Sequence, residues 1–351
     1  MIKQLASILL GRGTDRPSPS MDKIHDFMDR HLADIEAAVE PAPESKPRTS
    51  FDAGLPIHEV SMANLKAKQR LQAVSRAVPL MWNMHQGSKM YADDYTPSAT
   101  EASKAFLADL ERMAKSMGAR DIRYIEVPRN AIFKGKRLPA KYAIIFTVEM
   151  DKNPIDTSPS WDSQREVMRG YKDMAAISKR LSNHLRAHGF AAYPGMALGG
   201  ITDYVYLAEL AGLGAIGYHG LLISPGEGAR LRINTIYTNI ENLPIQAPED
   251  NEHLWIRDFC AMCKKCVRSC PVDAIYDHPE PRGDGGYQTI DHATCRDYFT
   301  RNYGCAVCLK VCPFSQVGYD NVHDLFKGNP HAPVFNIIPL EEIRIAKGST
   351  L

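Results

Sequence analysis

All eight cysteines of this 351-residue chain fall between Cys260 and Cys312. The first four stand in CAMCKKCVRSCP, the last three in CAVCLKVCP, and Cys295 lies between the two runs. A CxxCxxCxxxCP run is the spacing of bacterial two-cluster proteins, in which three cysteines grip one 4Fe-4S cubane and the fourth crosses to the other. That crossing assigns Cys260, Cys263, Cys266 and Cys312 to one cluster, and Cys270, Cys295, Cys305 and Cys308 to the second. Pro271 and Pro313 turn the chain away after each crossing cysteine. A zinc ribbon would use two CxxC pairs and close at four ligands. A disulfide framework belongs to small secreted domains. One departure from a duplicated module is that nine residues separate Cys295 from Cys305, where two would be usual.

The rest of the chain is long enough for a further domain. A formal charge of +1 with 24% charged residues gives no basic field for nucleic acid and no acidic solvating tail. The first residues, MIKQLASILLGRG, hold only a short apolar stretch, and Arg12 and Arg16 are not a twin-arginine pair. The sequence therefore reads as a cytoplasmic protein with no export signal and no membrane span, in a compartment that keeps cluster thiols reduced.

Helical spacing is expected over 21–40, followed by a linker, PAPESKPRTS, that separates an N-terminal arm from the body. Phe106, Leu110, Met113 and Met117 recur at three and four, and Gly118 stops that helix, which covers 100–117. Strands are expected over 122–127 and 142–150, the second apolar enough (YAIIFTVEM) to be central in a sheet. A long helix over 161–188 carries Val167, Tyr171, Met174, Leu181 and Leu185 on one face. A short helix over 204–211 and strands near Leu221 and Ile233 complete an α/β layering. The tail carries Pro330, Pro333 and Pro339.

Residues 211–239, AGLGAIGYHGLLISPGEGARLRINTIYTN, place Gly212, Gly214, Gly217 and Gly220 within nine positions, so backbone can approach something closely there. GLGAIG follows a helix and lacks a βαβ frame, which argues against a dinucleotide fingerprint. Together with FTVEMDKNPI, RGYKDMA, LLISPGEGARLRI and the cysteine runs, this stretch resembles the cobalamin-dependent reductive dehalogenases and their smaller relatives, the epoxyqueuosine reductases. The likeness covers about 143–313, and LISPxxGxRxR points to the dehalogenase branch.

The resemblance implies a nitroreductase-like α/β (α+β) domain that binds cobalamin and substrate over 61–250. A ferredoxin-like two-cluster domain would occupy 251–318, with an arm and linker over 1–60 and a tail over 319–351. It implies base-off cobalamin touched by Gly212, Leu213, Gly214, Ile216, Gly217, His219, Gly220, Leu221, Ile223, Ser224, Pro225 and Thr238. No DxHxxG motif supplies a lower cobalt ligand, and His219 reads as a hydrogen-bonding residue lining the pocket. Tyr171 matches the family's proton donor and Arg230 the basic residue paired with it. A phenol relays a proton better when a guanidinium stabilises its phenolate. Without the resemblance, Tyr171 would read as core and Arg230 as a surface charge, while Lys172 reads as solvated.

The implied activity is an oxidoreductase replacing halogen by hydrogen on a small, aromatic organohalide. An external low-potential donor (ferredoxin, flavodoxin or a reductase) would feed it. Two departures mark the substrate side: GMAL, with Ala197, stands where many relatives carry a GND-like segment. The acidic donor of epoxyqueuosine reductases would fall near Leu198, with Asp203 too close to the glycine run. A basic segment with Arg129, Lys134, Lys136, Arg137 and Lys141 keeps a tRNA substrate as an alternative, although such a run more often joins two strands. A plain iron-sulfur or corrinoid electron carrier is the third reading.

Overall fold

The computed structural model describes residues 35, 39–49, 54–226, 228–326 and 328. Most of the helix expected over 21–40, and the three tail prolines, lie outside them. Helix α1 spans Ala67–Lys89 and α2 spans Lys104–Ser116. The Ser103 hydroxyl accepts from the Phe106 N–H to start α2, and Gly118 at φ 102° follows its end. Strands β1 (Ala119–Glu126) and β2 (Tyr142–Glu149) come next, then α3 (Lys152–Asp156) and α4 (Trp161–Ala187). Ser160 and Ser163 cap α4 reciprocally, and Gly189 at φ 86° lies just beyond it.

The chain continues through β3 (Ala192–Pro194), α5 (Tyr204–Leu210), β4 (Ala215–Ile216), β5 (Leu222–Ile223) and β6 (Leu231–Thr238). Strands β1, β2, β6 and β3 form one antiparallel sheet in that order. β2 lies inside it with six consecutive buried residues, as its unbroken apolar run predicts. The layers are therefore mixed α+β, with helices packed on an antiparallel sheet. The main core joins Ile144, Ile145 and Phe146 of β2 to Met174, Ile177 and Leu181 of α4.

The cysteine-bearing part carries α6 (Ile256–Cys263), α7 (Lys265–Ser269), β7 (Ile275–Pro281), β8 (Tyr287–Ile290), α8 (His292–Arg301), α9 (Val307–Val311), α10 (Pro313–Val317) and α11 (Tyr319–Phe326). It shares a second core with the sheet domain, in which Met150, Ile155 and Val167 meet Phe259, Leu309 and Phe314.

One helix went unread in the sequence, and one expectation changes. Helix α1 carries Pro79 and leaves Leu71, Val78 and Trp82 exposed, so no clean apolar stripe marked it. It packs along α4, and Trp161 Nε1 donates to Gln72 Oε1 at 2.9 Å. The stretch read as a free linker docks on the body instead. Val39 and Leu138 exchange two backbone hydrogen bonds of 3.0 and 3.1 Å, and the Ala42 N–H reaches the Arg129 carbonyl. Pro41 and Pro43 leave few backbone donors there, so an extended segment is satisfied by those few pairings. No described helix is long and apolar enough to cross a membrane.

Candidate functional site

A cleft of about 350 Å³ opens between the sheet and the cysteine-bearing part. Tyr171 and Met174 of α4 reach it from one side, and Leu231, Arg232 and Ile233 of β6 form its floor. Segment 196–200 and α5 make a second wall, and β8 a third. Ala197 and Leu198, which mark the departures from the family patterns, lie on that second wall.

Tyr171 is half-buried where the two cores meet. The guanidinium over its ring belongs to Arg232, with Cζ 4.8 Å from the ring centroid. Arg230, expected in that place, turns the other way. It is 2% exposed, and its guanidinium donates to the carbonyls of Met150 and Ser315. Residues 229–231 turn tightly, the Leu231 N–H bonding to the Ala229 carbonyl, before β6 begins. Alternation through a regular strand thus starts at Leu231, and Arg230 precedes it. Arg232 Nε is buried with no hydrogen-bond partner among the described residues, which leaves a donor at the cleft side of the sheet.

Of the twelve expected corrinoid contacts, Ile216, Gly220 and Leu221 line the cleft. Others serve the fold. An added Cβ on Gly214 would come within 2.0 Å of the Ile223 carbonyl, so this glycine lets β4 lie against β5. Gly212, at φ 74°, packs against Gln246. Gly217 donates to the Leu221 carbonyl and accepts from the Gly220 N–H, closing the turn between β4 and β5. Leu213 and Ile223 are core, and Ser224 and Pro225 form the next turn. Thr238 is buried, its hydroxyl donating to the Ala191 carbonyl. Glycine density marked backbone close to backbone more than backbone close to a ligand.

His219 sits in the same turn but faces away from the cleft, lining a small cavity with Cys260, Cys263, Cys266 and Cys312. Burial pushes its imidazole down to about 4. Thiols in each expected set of four perturb one another. Cys266 feels Cys260 and Cys312, then Cys308 from the other set and Cys263, while Cys305 and Cys308 feel Cys270 and Cys295. Burial pushes Cys305 and Cys312 up to about 12, so apolar surroundings disfavour the free thiolates there. Backbone N–H groups aim at the sulfurs: Tyr218 at Cys260, Lys265 at Cys263, Val307 at Cys305, and Ala274 at Cys270, 3.3 Å away. All eight thiols are free. Cys295 reaches the second set because α8 carries it back across the intervening residues, with Asp291 capping that helix.

Missed by the sequence reading were Arg232, Lys46, Arg48, Arg282 and His292, all on the cleft wall. Asp203 pairs with Lys46 and lies 3.8 Å from Arg282. Its other oxygen caps α5 by accepting from the Tyr206 N–H. Burial raises Tyr204 and Tyr206, and it lowers His292, beside which Lys46 and Arg282 act in the same sense. Only the alternation in ARLRI could have flagged Arg232; the other residues converge from distant segments. Lys172 pairs with Asp173 at 3.0 Å. The basic segment does join β1 to β2, with Arg137 on Glu40 and Lys141 on Glu126, both at 2.9 Å.

A family model for a 4Fe-4S binding domain matches residues 253–276. The fold and the cysteine sets define a mixed α+β protein with an iron-sulfur module. More narrowly, the chain is related in sequence to reductive dehalogenases and, over a shorter stretch, to epoxyqueuosine reductases. Tetrachloroethene reductive dehalogenase of Desulfitobacterium hafniense is 32% identical over 55% of this chain and 36% of its own length. The enzyme of that description from Sulfurospirillum multivorans is 28% identical over 57% and 42%. An epoxyqueuosine reductase of Francisella cf. novicida is 34% identical over 31% of each chain. The chain thus spans well under half the length of these dehalogenase relatives. A solved catabolic reductive dehalogenase in complex with 3-bromo-4-hydroxybenzoic acid shares the fold, with TM-score 0.65 and 17% identity over 93% of this chain and 48% of that one.

Proposed function

We propose that this chain is an oxidoreductase that replaces halogen by hydrogen on a small organohalide, drawing electrons through two 4Fe-4S clusters to a corrinoid in the cleft. The observation that carries the reading is the shared wall. Tyr171 and Arg232 face the cleft, and the β4–β5 turn that lines it also lines the cavity of the first cysteine set. Removal of halide as X⁻ with hydrogen left on carbon consumes two electrons and one proton. A bound corrinoid would supply low-potential cobalt for that reduction, and Ile216, Gly220 and Leu221 would flank it.

Tyr171 Oη holds the proton destined for the carbon, and the Arg232 guanidinium stabilises the phenolate left behind. The same cation stabilises negative charge developing on substrate or halide. The apolar stretch of wall around Met174, Met196 and Leu198 suits a halogenated ring and keeps bulk water from the reacting carbon. The electron donor is a separate low-potential protein, and the reaction belongs in the cytoplasm.

A second reading, reduction of a modified nucleoside in tRNA, draws on Asp203 and on Lys46, Arg48 and Arg282 at the cleft. Protein made anaerobically with cobalamin supplied tests both. About eight iron and one cobalt per chain are expected, with turnover of halogenated phenols under strong reductant. Salt-sensitive tRNA binding with turnover of the nucleoside alone would favour the second reading. Full iron without cobalt would leave an electron carrier.

A further inference from the structure

His219 is 5% exposed and belongs to the turn whose neighbours Gly220 and Leu221 line the cleft. The Leu221 N–H donates to His219 Nδ1 at 3.2 Å. A nitrogen that accepts a hydrogen bond carries no proton, so the ring proton of the neutral imidazole sits on Nε2. Nε2 is buried, yet among the described residues no atom accepts from it. An N–H left unsatisfied in the interior costs about 1–3 kcal/mol, so such a group in a folded protein calls for an acceptor. The ring lines the cavity bounded by all four cysteines of the first set, where the chain's other donors to sulfur include the Tyr218 and Lys265 backbone N–H groups.

We propose that His219 Nε2–H donates a hydrogen bond to a sulfur of the cluster held by Cys260, Cys263, Cys266 and Cys312, and so raises the reduction potential of the cluster beside the cleft. The inference rests on the reading that these cysteines hold a 4Fe-4S cluster. Reduction adds negative charge to the cluster, and a donor aimed at sulfur stabilises the more negative state. The consequence is a direction for electron flow. One electron leaves the second cluster as the first is reduced, and the first waits on the far side of a single turn from the cleft.

The test is a potentiometric titration followed by electron paramagnetic resonance on anaerobically produced protein. It compares wild type, His219→Leu and His219→Gln, with a Cys295→Ala variant to assign the two signals. His219→Leu should lower the potential of the first cluster by about a tenfold change in its equilibrium, roughly 59 mV for one electron, and leave the second in place. His219→Gln, which keeps a donor, should recover at least half of that shift. An unchanged first-cluster potential in His219→Leu with full iron overturns the proposal, as does an equal shift of both clusters. Should the leucine variant not assemble, wild-type protein labelled with ¹⁵N-histidine decides: coupling of one histidine nitrogen to a single reduced cluster is expected, and its absence overturns the proposal. Wild-type iron and sulfide below four per chain would instead sink the cluster reading itself.

Discussion

Two arginines one residue apart do different jobs, and their variants separate them. Arg232 lies over the Tyr171 ring, whereas Arg230 ties the end of β2 to the start of the α10 region through two carbonyls. Arg232→Ala should lower turnover about 100-fold or more, the scale of a lost electrostatic donor in a closed site, and leave melting temperature nearly unchanged. Arg230→Ala should cost about 3 kcal/mol of stability, since it strips a charged donor from two buried acceptors. Thermal melting beside kcat distinguishes them, and the opposite ranking would return Arg230 to the catalytic pair. Tyr171→Phe keeps the packed ring and removes only the hydroxyl. Turnover should fall about 10²- to 10⁴-fold with cobalt and iron content intact. Retained activity would take the proton from another group. At this scale the sequence was legible for Tyr171, which a motif fixes to one position of α4. It was misleading for the arginine, because a backbone turn at 229–231, invisible in the letters ARLRI, decides which side chain faces the cleft.

Elements with strong local signals matched their expected places. α4 begins at Trp161 behind a serine cap and β2 at Tyr142, because caps and an unbroken apolar run act within a few residues. α1 escaped notice since its packing against α4 is tertiary and its own pattern is weak. The expected corrinoid contacts were matched to the cleft only in part for a similar reason. Glycines at 212, 214 and 217 report tight chain approaches, which a ligand cradle and a folded turn demand alike. The cysteine spacing was legible as an iron-sulfur signature, and α8 brings Cys295 near Cys270 of its expected set despite the long gap before Cys305. Cys295→Ala should therefore cost only the second cluster. Iron and sulfide are expected to fall from near eight to near four per chain, with the resonance of the first cluster retained. Loss of all iron would mean that the two sets assemble as one unit, and full retention would remove Cys295 from the ligands.

At the scale of the molecule, what no motif showed is that the cysteine part and the sheet share a core, so the cleft exists only while the two stay docked. His253 sits at that seam. Its Nδ1 lies 2.8 Å from Tyr319 Oη, which also accepts from Trp255 Nε1. Burial holds the imidazole below its ordinary 6.5, with Arg123 and His323 pushing the same way and Glu252 and Asp121 opposing. A histidine whose folded pKa is depressed binds its proton more readily once unfolded. The docked state thus keeps its full margin above about pH 6.5, and loses it as pH falls from there toward the folded value. One such group contributes a slope of up to about 1.4 kcal/mol per pH unit in that window. His253→Phe keeps an aromatic ring against Tyr319 and has nothing to titrate. Melting temperatures of anaerobically loaded protein between pH 7.5 and 5.5 should fall less steeply in the variant than in wild type, although the variant starts lower for want of the Tyr319 hydrogen bond. The clusters' own acid sensitivity is common to both proteins and cancels in that difference. Parallel slopes would assign the acid sensitivity to groups away from the seam, such as His184, which burial lowers, with His188 acting in the same sense.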